Sequence, residues 1–217
     1  KGLHQIKSVQ EKSVVLYLGM DLDAFFDIAR RRQARRNPPV LLWNHRWEYD
    51  KAPEAFFAAL FQLQEEGLAF RLAVLGEHYR KAPPIFAEAK EKLAKQIVHW
   101  GYAERETYQN WLVQTDILPV TSRQDFFGGS LVEGIAAGAI PLVPNRLAFP
   151  EHIPNQHRPL LVYDSDQDLF QRLRSFLKHG VPIELRSDLR NLVSRYDWST
   201  LAPVYDRGFN ALLQANQ

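Results

Sequence analysis

The chain predicts an α/β fold, a Rossmann-like, doubly wound parallel sheet, on three observations. Apolar runs of strand length recur along it, stretches with helical spacing separate them, and prolines and glycines fall near the joins. Regular strand–helix alternation means that each strand reaches the next through a crossover, and crossovers set strands parallel.

Val14–Leu18 is the first short β-branched run and reads as a strand. Gly19-Met20-Asp21-Leu22-Asp23 and a basic helix follow, until Asn37-Pro38-Pro39 breaks the pattern, so residues 1–37 read as an interdomain connector. Val40–Trp43 opens the Rossmann-like unit, and residues 38–217 form the main domain. Phe70–Leu75, Ile97–Trp100, Asp116–Val120, Ile140–Val143 and Leu160–Tyr163 read as further buried strands. Between them Pro53–Glu66, Pro83–Ala94, Glu104–Val113, Ser130–Ala137 and Asp166–Lys178 carry helical spacing. Pro53 and Pro83 stand where a first-turn proline is tolerated, because its missing N–H has no intrahelical partner there. A last helix, Thr200 to Leu213, follows Tyr196-Asp197-Trp198-Ser199.

Length and composition bound the function. With 217 residues and 46% apolar content the chain fills the core of one large α/β domain. No apolar run reaches bilayer length, and no basic-then-apolar leader appears, so no membrane partner is expected. The absence of cysteine excludes disulfides and thiolate metal sites and fits a cytoplasmic location. A net charge of +2 carries no whole-chain signature of nucleic-acid binding. Arg30-Arg31-Arg32 with Arg35-Arg36 reads first as a solvated helix face, with RNA phosphates as the alternative. The chain opens on Lys1 with its single methionine at Met20, and reads as a piece of something longer.

Chemistry concentrates in four places. In Asp125-Phe126-Phe127-Gly128-Gly129-Ser130-Leu131-Val132-Glu133 two carboxylates stand eight residues apart around a glycine turn. Amides of Gly128, Gly129 and Ser130 at a helix N-terminus suit a diphosphate, with Asp125 and Glu133 accepting from hydroxyls on either side. The plainer account makes Asp125 a helix cap and Glu133 an exposed helical residue. The small-residue run Gly134–Ala139 lets that helix lie close to the sheet. After the strand Val40–Trp43, Arg46 and Lys51 put two cations on one loop, fit for a diphosphate or for a surface ion pair with Glu48 or Asp50. Gly76 lets backbone approach a ligand closely, and Glu77 beside it touches that ligand or caps the next segment. His99, Gly101 and Tyr102 follow the next strand, where a lone histidine is more often packed than liganding. Asp21-x-Asp23 and Asp164-x-Asp166 read as helix caps rather than metal ligands, and no metal site is expected.

The acidic-x7-Glu spacing and Gly138-Ala139-Ile140-Pro141-Leu142-Val143-Pro144 resemble the donor site in the C-terminal half of retaining GT-B glycosyltransferases. The block Trp43-Asn44-His45-Arg46-Trp47-Glu48-Tyr49-Asp50-Lys51 resembles, more specifically, the tRNA-queuosine α-mannosyltransferase family. Val74-Leu75-Gly76-Glu77, His99-Trp100-Gly101-Tyr102, Phe126-Phe127-Gly128 and Phe149-Pro150-Glu151 share that likeness. The resemblance covers about residues 40–154 and implies a nucleotide-sugar donor, GDP-mannose, transferred with retention to queuosine in tRNA. It implies catalytic roles for Arg46, Lys51 and Asp125, with donor contacts along Gly76–Glu77, His99–Tyr102 and Phe127–Leu131, and Glu133 on the ribose. It implies no metal or other cofactor, an N-terminal acceptor domain, and a terminal helix (198–217) that crosses back towards that domain. Asp125 departs from the family's glutamate, one methylene longer. Two other readings stand beside this one, a non-catalytic nucleotide- or RNA-binding module and a nucleotide-sugar epimerase of the same fold.

Overall fold

The computed structural model describes residues 3–30, 37–77 and 82–215. Helices α1 (Leu3–Glu11) and α2 (Asp23–Arg30) precede strand β1 (Val40–Asn44). Then α3 (Pro53–Glu65), β2 (Arg71–Leu75), α4 (Ile85–Lys92), β3 (Ile97–Gly101), α5 (Arg105–Gln114), β4 (Ile117–Pro119), α6 (Gly129–Ala136) and β5 (Ile140–Pro144) alternate strictly. The chain closes with α7 (Arg158–Leu161), β6 (Val162–Tyr163), α8 (Asp166–His179), α9 (Arg186–Val193) and α10 (Trp198–Ala215).

The six strands pair in parallel, as the alternation predicts, and stand in the order β3-β2-β1-β4-β5-β6. Strand β1 is central, and Val40, Leu41, Leu42 and Trp43 are fully buried in it, each side chain contributing roughly 1.5–3 kcal/mol. Trp43 packs against Phe56, Phe57 and Phe86 from α3 and α4. Helix α3 contacts both α4 and α8, while α2, α5, α6 and α9 form a second connected set. Pro53 starts α3 as expected. Gly134 lets α6 lie close to β4, because a β-carbon there would run into Leu118. Strand order reverses between β1 and β4, and in such sheets ligands bind beyond the carboxyl ends of the strands at that point.

Five expectations change. Val14–Leu18 forms no strand; Val14 is 84% and Val15 77% exposed, and the run has no neighbouring strand to pair with. Leu160 and Leu161 belong to α7, because Pro159 pre-sets a first helical turn, and only Val162–Tyr163 pair in the sheet. Helix α4 starts at Ile85, leaving Pro83 ahead of it. The cap of α8 is Ser165, whose hydroxyl accepts the Asp168 amide, while Asp164 accepts from Asn145. Helices α1 and α9 lie in stretches where no element was predicted. The basic positions Arg31, Arg32, Arg35 and Arg36 lie outside the described residues.

Within the segment expected as connector, Leu22 and Phe25 are buried in the common core and α2 packs on α5 and α6. Just before them, Met20 bridges to Asp197 at the foot of α10. The Met20 amide donates to the Tyr196 carbonyl at 2.8 Å and the Trp198 amide to the Met20 carbonyl at 3.0 Å. The Asp197 carboxylate accepts the Leu22 amide at 3.0 Å.

Candidate active site

The loop after β1 is fixed by bonds to its neighbours in the sheet. The Trp47 amide donates to the Glu77 carbonyl at 3.0 Å, and the Gly76 amide to the Gly101 carbonyl at 3.1 Å. The Trp47 ring stacks on Phe86, with centres 4.5 Å apart. The loops after β1, β2 and β3 thereby form one rim. Gly76 is required in it: its φ is +108°, and a β-carbon would overlap the His45 carbonyl oxygen.

Across the reversal point, the 3-10 turn Tyr49–Lys51 is fastened to the segment after β4. The Thr121 hydroxyl donates to the Lys51 carbonyl and the Arg123 amide to the Asp50 carbonyl, both at 2.7 Å. The buried Lys51 ammonium donates to the Gln124 carbonyl at 2.9 Å and lies 3.2 Å from both Asp125 Oδ2 and Asp50 Oδ2. The other oxygen of Asp125 accepts the amides of Phe127 (3.2 Å) and Gly128 (2.7 Å). Burial disfavours the Asp125 charge, but Lys51 and the two amides outweigh it and hold the carboxyl below its ordinary pKa.

Gly128, at φ +87°, turns the chain into α6, and its carbonyl accepts the amides of Leu131 and Val132. With the Gly128 amide given to Asp125, those of Gly129 and Ser130 have no acceptor among the described residues. They are the first amides of α6, at the positive end of its dipole. The Asn44 side-chain Nδ2 donates to the Ser130 carbonyl at 3.1 Å, and the Ser130 hydroxyl lies 3.4 Å from His45 Nδ1. The two loops flanking the reversal point therefore touch.

Two clefts open here and meet at Arg46. One, about 390 Å³, is lined by Arg46, Asp50, Lys51, Gln124, Asp125 and Phe126. The other, about 210 Å³, is lined by Asn44, His45, Arg46, Leu75, Gly76, Tyr102, Ala103 and Tyr108. Of the predicted residues, Arg46, Lys51 and Asp125 line the first, while Arg46, Gly76 and Tyr102 line the second. Glu133 lies behind the second cleft, accepting the Tyr108 hydroxyl at 2.5 Å. Burial raises the Glu133 pKa against the pull of Tyr108 and Arg105. His99 lines neither cleft; its Nε2 is 3.3 Å from the Gly101 carbonyl and its ring meets Trp111. Glu77 is exposed and joins the rim through its carbonyl, Leu131 is a buried residue of α6, and the Phe127 ring turns to His152 and Tyr196.

Three residues escaped the sequence reading: His45, Tyr108 and His152. Tyr108 stands one helical turn after Arg105, which was the available signal that both face Glu133. His45 stands inside the block Trp43–Lys51 with no role assigned to it, and nothing in the sequence marked His152. His45 is buried with no partner for Nε2, an atom that asks for a polar ligand or water. Burial, and then the Lys51 cation, lower its pKa from 6.5 to about 4, with Asp125 and Asp50 pulling the other way. Below pH 6.5 the unfolded chain therefore takes a proton that the native chain refuses, and stability falls. We expect His45 to cost about 2 kcal/mol between pH 7 and pH 5, read as a fall in urea midpoint that is flatter in His45→Gln.

One cation, two unspent helix amides and a polar cleft together suit a bound polyanion carrying hydroxyls. Among the described residues no group of three or more His, Cys, Asp or Glu is placed to hold a metal ion. No described helix is long and apolar enough to cross a membrane.

The family model described as glycosyl transferases group 1 matches residues 25–193. A tRNA-queuosine alpha-mannosyltransferase from Drosophila melanogaster is 30% identical over 184 residues, 81% of this chain and 47% of that protein. The crystal structure of a glycosyltransferase from Rickettsia africae superposes with a TM-score of 0.72 at 19% identity, covering 92% of this chain and 57% of the other. Anabaena HepE in complex with UDP superposes equally, with a TM-score of 0.72 at 16% identity over 91% of this chain and 57% of its own. The chain spans about half the length of these relatives.

Proposed function

The chain belongs to the group 1 glycosyl transferases, and from that premise we propose that it is the donor-binding domain of a retaining GT-B enzyme. The donor is GDP-mannose and the acceptor is queuosine in tRNA, a choice supported by the likeness to the Drosophila protein of that name. The observation that carries the reading is that Ser130, which with Gly129 has an unspent amide at the start of α6, touches Asn44 and His45, directly beside Arg46 in the loop after β1. When the sugar–phosphate bond breaks, charge grows on the diphosphate, and donors fixed in advance stabilise it without reorganising. These groups carry that charge in our reading, so the step needs no metal.

The sugar lies in the larger cleft, where Asp125 accepts from its hydroxyls while still holding the glycine turn. The nucleoside lies in the smaller one, with Tyr102 beside the base and Glu133 reaching the ribose together with Tyr108. Acceptor groups come from a further, N-terminal domain, consistent with relatives about twice as long as this chain. A tRNA acceptor puts the reaction in the cytoplasm.

Calorimetric titration of this chain with GDP, UDP, GDP-mannose and UDP-glucose, with and without magnesium, tests the proposal. We expect metal-independent binding of GDP and GDP-mannose, weakened about 10- to 100-fold by Arg46→Ala, the loss of one charge-assisted contact. Preference for uridine nucleotides would keep the donor domain and remove the queuosine assignment. Binding that Arg46→Ala left untouched would sink the diphosphate site itself.

A further inference from the structure

The glycine turn is held from behind by a chain of donors that no step above uses. His152, in the 3-10 turn Phe149–His152 after β5, is 1% exposed and lies with Nε2 2.6 Å from the Phe127 carbonyl oxygen. Its Nδ1 is 3.0 Å from the hydroxyl of Tyr196, which is also fully buried. That hydroxyl accepts from the Arg195 guanidinium, which donates as well to the Glu151 carbonyl at 2.8 Å. The donor assignments have one consistent solution. A carbonyl only accepts, so His152 Nε2 carries the proton. Nδ1 then accepts from the Tyr196 hydroxyl, whose oxygen accepts a hydrogen bond from Arg195. Burial also holds the His152 ring below its ordinary pKa, against the pull of the Phe127 carbonyl, which keeps the ring neutral.

The peptide unit between Phe127 and Gly128 is thus gripped at both ends. His152 holds its carbonyl, and Asp125 takes its N–H at 2.7 Å. A peptide plane with both polar atoms fixed cannot rotate. This plane sets the left-handed turn at Gly128, and so the direction in which the Gly129 and Ser130 amides present themselves. The grip continues to the base of α10: Tyr196 is the residue whose carbonyl accepts the Met20 amide, and its ring lies edge-on to Tyr17 at 5.3 Å.

We propose that His152 is a positioning residue of the anion site, which aims the α6 amides by clamping the Phe127–Gly128 peptide, with Tyr196 and Arg195 fixing its tautomer. The effect on affinity rests on the nucleotide-sugar reading given above; the clamp itself does not. For wild type we expect the Nε2–H tautomer of His152 in a long-range 15N–1H spectrum and a Gly128 amide well protected from solvent exchange. His152→Ala should weaken GDP about tenfold and Tyr196→Phe about threefold, while His152→Gln, which keeps an N–H near the carbonyl, should recover most of the loss. Tyr196→Phe retains the packing, so it stays informative if His152→Ala fails to fold. In it, Gly128 exchange should quicken by more than the accompanying fall in melting temperature accounts for.

Wild-type binding that Tyr196→Phe and a folded His152→Ala both leave unchanged would overturn the positioning role. An Nδ1–H tautomer, or Gly128 exchange insensitive to Tyr196→Phe, would overturn the clamp. Should the wild type bind neither GDP nor UDP, the nucleotide reading fails instead. The ring tautomer and the Gly128 exchange rate still decide the clamp.

Discussion

Replacing Gly76 with alanine is expected to cost about 3–5 kcal/mol, the sum of backbone strain at a glycine-only φ and a forced shift of packed backbone. Against a typical total of about 5–15 kcal/mol this leaves a marginal protein. The physical reason is local. Gly76 sits at φ +108°, and an added β-carbon would overlap the His45 carbonyl oxygen, which is backbone and cannot swing aside. The loop carrying Arg46 must then lift away from β2, so nucleotide affinity should fall with stability. Gly101 is the matched control. Its φ is +123° but nothing lies within 4 Å of the added carbon. Gly101→Ala should therefore cost strain alone, about 1–2 kcal/mol. Urea unfolding of both variants at equal m-value measures the difference, and equal midpoints would refute the close-approach argument.

Lys51→Met is expected to destabilise by about 3 kcal/mol, because it leaves two carboxylates facing each other in a largely buried site. Lys51 is 10% exposed at its side chain and stands between Asp50 and Asp125. Without it the Asp125 carboxyl, now held below its ordinary pKa, rises under burial. Adding Asp125→Asn should restore most of the stability, since an amide oxygen still accepts the Phe127 and Gly128 amides and carries no charge. Nucleotide affinity should stay low in the double variant if Lys51 also serves the anion. Chemical denaturation together with GDP titration of the two variants separates these roles. Full recovery of affinity would make Lys51 purely a partner of Asp125.

The parallel α/β sheet was legible, and so were several residues that line the two clefts, because their signals are local. Apolar runs of five residues, prolines at helix starts and glycines after strands are written in consecutive positions. The failures are equally physical. Val14–Leu18 has the composition of a strand, yet a strand needs a neighbour, and neighbours are not encoded locally. Arg46, Lys51 and Asp125 could be picked out by charge. What could not be read is that Asp125 spends its oxygens on Lys51, 74 positions away, and on the amides of its own turn. His152 was invisible for the same reason, its partners lying 25 and 44 positions distant.

The bridge between Met20 and Asp197 has a mechanical consequence. The segment before residue 20 and the helix after residue 197 leave the body of the domain from a common root. The Tyr205 hydroxyl ties them again a few residues on, at the Tyr17 carbonyl. Two tethers rooted apart would let each swing on its own, whereas two rooted together share a single fulcrum. The pair therefore acts as one lever: a torque applied to either arm reaches the body of the domain at the same place, and neither arm can turn without carrying the other.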